Sequence, residues 1–85
     1  MFIEGDPIDE SGEKAEMRKI GSTTTDDECA SLVRSTQPTA NGATHALVGG
    51  CYANFGMIGI STSPSFRSCL FTGQLRFFQI QRRVS

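Results

Sequence analysis

The sequence predicts an α+β fold, one helix covering one face of a small antiparallel sheet. Three observations carry that prediction. Thr25-Asp26-Asp27-Glu28 forms a capping box directly ahead of an apolar helical face. Gly49-Gly50 separates two strand-like runs, ATHALV and CYANFGMI. Two more apolar-rich runs, FRSCLF and LRFFQI, then follow with turn residues between them.

Taken in order, residues 1–14 are rich in Gly, Asp and Glu and read as a flexible acidic lead-in. A short first strand is expected over 15–20, where Met17 and Ile20 are the apolar members. The helix is expected over about 26–36. Its Thr25 hydroxyl can accept from the N3 amide while Glu28 reaches back to the cap, and three acids in the first turn suit the positive end of the helix dipole. Cys29, Leu32 and Val33 share one face, and Pro38 disfavours helical geometry at Gln37 and ends the helix.

After a turn at Asn41-Gly42, the double glycine predicts a tight hairpin whose central residues need positive φ. In its second arm, period-two alternation puts Cys51, Ala53, Phe55 and Met57 on one side and Tyr52, Asn54 and Gly56 on the other. GISTSPS reads as a loop, FRSCLF as a third strand, and residues 73–85 as a last edge strand or a tail able to dock on a partner.

The net charge of -1 conceals a segregation. All nine acidic residues lie at or before Glu28 with only three basic ones, a charge of -6, and the rest of the chain carries five arginines and no acid, a charge of +5. The simplest expectation is that the two parts pair within the fold. The arginines are scattered and no recognition motif accompanies them, so no nucleic-acid partner is expected. No run reaches the roughly 18 apolar residues of a membrane span. The first residues lack the basic and apolar regions of a secretory signal, while three cysteines in a small chain argue for an oxidising compartment; the expectation is one domain of a longer secreted chain or an incomplete reading frame, and the alternative a cytosolic protein with reduced cysteines.

A chain of 85 residues, 38% hydrophobic, can pack a core, but one of marginal stability that calls for a staple. Cys29 on the helix and Cys51 on the hairpin both face the expected core and are plausible partners. Cys69 could instead displace Cys51, or all three could be buried thiols. If Cys29 pairs with Cys51, Cys69 is the odd cysteine: buried, joined to a cysteine upstream of this sequence, or unpaired toward an intermolecular disulfide.

Cys29, His45, Cys51 and Cys69 have the ligand types of a zinc site, and an intracellular zinc module is the remote alternative. Their spacing lacks the short Cys-x2-4-Cys knuckle. His45 otherwise reads as a half-buried strand residue. No nucleophile–base–carboxylate arrangement or phosphate-cradling loop is present, so neither enzyme activity nor a cofactor is expected. The candidate ligand face is Tyr52 and Asn54, projecting together from one strand, with Arg67 on a neighbour. Such a phenol, amide and guanidinium suit a protein or glycan ligand.

The run ECASLVRSTQPTANGATHALVGGCYANFGM followed by SCLF resembles a PAN/apple-like module over about residues 15–72. The resemblance implies a helix stapled to a curved antiparallel sheet, with Cys29 bonded to Cys51 on the second hairpin strand. Positions matching that family's second helix-to-sheet bridge are Val33 and the neighbourhood of Gly42, so both halves of it are absent together. Residues 73–85 do not resemble the family's continuation. The implied function is an extracellular adhesion module recognising protein or carbohydrate. A stand-alone secreted inhibitor or toxin-like effector is the alternative.

Overall fold

The computed structural model describes residues 2–71. It is an α+β fold in which one helix, α1 (Asp26–Thr36), packs on an antiparallel sheet. In chain order the strands are β1 (Ile3–Glu4), β2 (Asp6–Ile8), β3 (Glu16–Ser22), β4 (Gly42–Ala46), β5 (Gly50–Phe55), β6 (Gly59–Ser61) and β7 (Phe66–Leu70). The main sheet runs β1-β7-β4-β5-β3, and β2 and β6 form a separate antiparallel pair.

The helix forms where its sequence signals place it. Glu28 donates its amide to the Thr25 hydroxyl while its own carboxylate accepts from the Thr24 and Thr25 amides, so the capping box is complete. Cys29, Ala30 and Val33 are its buried residues. They cluster with Ala43, Cys51, Ala53 and Cys69 from the sheet and with Phe71 just past β7. Several of these side chains are no larger than a methyl group, which lets the helix approach closely but removes little apolar surface from water. Cys29 and Cys51, both fully buried, are joined by a disulfide with Cα atoms 5.4 Å apart. The staple thus ties the helix to β5, next to the central strand of the sheet.

Four expectations change. The stretch 1–14 is not a lead-in: Ile3 pairs with Ser68, and Asp6, Pro7 and Ile8 pair with Ser61, Ile60 and Gly59. The supposed loop GISTSPS supplies β6, the partner of β2. The hairpin loop is Leu47-Val48-Gly49, closed by the Gly49 amide on the Ala46 carbonyl, with the positive φ of 108° at Gly49 and Gly50 already paired with Ser22. A three-residue connection with a positive-φ glycine last replaces the two-residue turn.

Finally, Met57 does not share a face with Cys51. Gly56, at φ 70°, breaks the alternation, and the Met57 sulfur lies against the Asn54 amide on the opposite side of the sheet. The expected strand at 73–85 lies outside the described residues.

Candidate functional site

Strand register separates the residues of the sequence-predicted ligand face. Tyr52 lies opposite Thr44, which lies opposite Ser68, so these three share the side away from the helix. Arg67 lies opposite His45, which lies opposite Cys51, and therefore points to the helix side. There the Arg67 Nε donates to Asp26 Oδ2 at 2.7 Å, while the His45 Nδ1 is 2.8 Å from Asp26 Oδ1. The other ring nitrogen faces the Thr23 carbonyl at 3.0 Å. Both nitrogens meet acceptors, and both acceptors receive a proton only when the ring carries two. His45, expected to be a half-buried strand residue, is buried and clamps the start of the helix to β4.

Burial raises the pKa of the Asp26 carboxyl, but hydrogen bonds from His45 and Arg67, with their charges, outweigh burial and hold it below its ordinary 3.8. Its stabilisation is therefore complete above pH 3.8 and lost as pH falls through the lower folded value. Asp26→Asn is expected to cost about 1–3 kcal/mol at neutral pH. The difference from the native chain should shrink toward zero in acid. Urea unfolding at both pH values checks this, and an undiminished gap in acid would rule out the carboxylate as the cause.

Asn54 is fully buried, not presented to ligand. Its amide donates to the Thr44 hydroxyl at 2.8 Å; Thr44 and Ser68 hydroxyls are 2.8 Å apart, and Ser68 donates to the Gly5 carbonyl at 2.7 Å. These bonds run in one direction, from the amide through two hydroxyls to backbone, and join β5, β4, β7 and the residue between β1 and β2. Tyr52 is half-buried, its ring edge-on to Phe66 at 6.3 Å. Tyr52, Asn54 and Arg67 thus do not form a common surface: Asn54 is buried and Arg67 lies on the opposite face.

Two other expectations fall on the cysteines. The Cys29 and Cys51 sulfurs are bonded to each other, which removes two thiolates from the zinc set of Cys29, His45, Cys51 and Cys69. Among the described residues no group of three or more His, Cys, Asp or Glu could hold a metal. Cys69 is 4% exposed within the core, so an intermolecular disulfide through it would require the core to open.

What the fold does build is a cleft of about 680 Å³ between the Asp9–Ser11 loop and the end of β5. Phe55, Met57, Ile58 and Leu70 give it apolar walls, and Asp9, Glu10 and Glu16 are acidic lining residues. Both walls are fixed by hydrogen bonds. The Asn41 side-chain amide donates to the Met57 carbonyl and accepts from the Met57 amide, and the Ile58 amide donates to the Ile8 carbonyl. Across the cleft, Asp9 Oδ1 accepts from the Ser11 hydroxyl and from the Ser11 and Glu13 amides. The Ser11 hydroxyl, then the Ser11 amide, lowers the Asp9 pKa. The sequence carried a signal for this site, acids and a serine at 9–11 and bulky apolar residues at 55–58, but the lead-in reading of the first residues hid it.

No family model, curated protein or solved structure matches the chain.

Proposed function

We propose that this chain is an extracellular binding module of the PAN/apple-like kind, one unit of a larger protein, recognising a protein or carbohydrate ligand. The observation that carries the reading is the buried Cys29–Cys51 bond between helix and second hairpin strand, the bridge that the resemblance implies. A small domain with a thin core that invests in a disulfide suits an oxidising compartment. The cleft beside Asp9 and Ile58 replaces the Tyr52 face as the place for a ligand. Its volume lies within the usual range of binding sites, and its fixed walls reduce the ordering cost of binding.

The test is peptide mapping without reduction after secretion from a eukaryotic host, followed by amide chemical-shift titration against glycans and short peptides. Cys29 and Cys51 should travel as one linked peptide that reduction separates, and a ligand should shift amides lining the cleft. Secreted, folded protein in which both cysteines alkylate without reduction would sink the reading.

A further inference from the structure

We propose that the cleft receives a basic side chain together with an apolar neighbour from an extended segment of a partner polypeptide. This deepens the binding-module reading and rests on it.

The first argument is charge. Three lining residues are acidic and none is basic. Glu10 is exposed and makes no salt bridge among the described residues, so its carboxylate is available to a ligand cation. The second is the walls. Ile58 is 59% exposed and lines the cleft with Leu70, so a purely ionic ligand would leave that apolar area in water.

The third argument is a precedent within the chain. At the rim, the Arg18 guanidinium donates to Glu16 at 3.2 Å and lies 4.9 Å from the centre of the Phe55 ring. A carboxylate beside an aromatic face is already holding a guanidinium there by an ion pair and a cation–π contact. Glu10 and Ile58 line the same cleft, offering a carboxylate and an exposed apolar side chain. A carbohydrate fits less well, because Arg18 lies over the Phe55 ring that a sugar would stack on.

The test uses the full chain and a capped pentapeptide, Gly-Arg-Phe-Arg-Gly, with Gly-Glu-Phe-Glu-Gly as its control. The basic peptide should saturably shift the amides of Ser11, Gly56 and Ile58, and the acidic one should not. Glu10→Lys, at an exposed position, should weaken binding about tenfold, and raising salt should weaken the native chain's binding likewise. Ile58→Ser should weaken it without altering the salt dependence. Absence of shifts at millimolar peptide overturns the proposal. A glycan that shifts these amides when the peptide does not would overturn it too, while leaving the binding-module reading in place. Shifts at these amides on replacing Arg76, Arg82 and Arg83 by Glu, with no peptide added, would assign the cleft to the chain's own last residues and overturn an external partner.

Discussion

Replacing Cys29 and Cys51 together by alanine is expected to lower the unfolding free energy by about 3 kcal/mol, the chain-entropy value for a bond spanning 22 residues. The loss should be felt strongly here. A small domain's stability is a few kcal/mol, and this core is built largely from alanine and cysteine, so burial offers little reserve. Alanine is the simpler replacement, since it adds no polar group at two fully buried positions. Reduction of the native chain controls for the packing lost with the sulfurs. Urea unfolding of the oxidised, reduced and substituted chains should place the last two at markedly lower midpoints. If all three unfold together, the bond contributes nothing and the core holds the helix unaided.

The helix was legible because its signals are local, whereas the residues left the partner of Cys29 open between Cys51 and Cys69 and only the resemblance implied Cys51. The capping box, the spacing of Cys29 and Val33 and the stop before Pro38 lie within one short stretch, and the helix runs over the residues they specify. The first strands gave no such signal. β1 and β2 have two and three residues, too few to show alternation, and pair with residues more than fifty positions away. Their existence depends on long-range pairing that composition cannot reveal. The hairpin was readable as a hairpin, but two adjacent glycines permit the loop at either, and register with β3 decides.

The site was less legible, for a related reason. Alternation says which residues share a face of one strand; it does not say how two strands are registered or what covers a face. Tyr52 and Asn54 do share a face, as alternation requires. Met57 reaches that face and lies against the buried Asn54 amide, and the pairing of Thr44 with Ser68 turns Arg67 to the other side. The segregation of charge was likewise only partly informative. Among the described residues a single carboxylate of the acidic part, Asp26, meets the basic part, where it is held by Arg67 and His45, while Arg34 sits over the Phe71 ring and Arg18 pairs locally with Glu16. The acids at 9, 10 and 16 instead gather at the cleft.

Gly5→Ala is expected to be nearly as damaging as loss of the disulfide, though it adds one methyl group. Gly5 stands between β1 and β2 at φ 147°, in the region that side chains rarely adopt. A Cβ there would run into the Ser61 backbone carbonyl and come within 2.6 Å of the Ile60 side chain. The Ser61 carbonyl belongs to the strand paired with β2, so it cannot retreat without unpairing Asp6 from Ser61. Any shift of Gly5 itself disturbs its amide bond to the Phe66 carbonyl and the Ser68 hydroxyl bond that ends the buried chain from Asn54. Overpacking and backbone strain together make about 3 kcal/mol a reasonable magnitude, or more than 10 °C in Tm for a domain of this size. Gly12→Ala separates the two causes. Gly12 also has positive φ, 86°, but no atom within 4 Å of the added carbon, so about 1 kcal/mol is expected from conformation alone. Thermal unfolding of the two variants beside the native chain decides the matter. A native midpoint for Gly5→Ala would mean that residues 3–8 are not packed on β6 and β7, and the cleft wall that begins at Asp9 would lose its anchor.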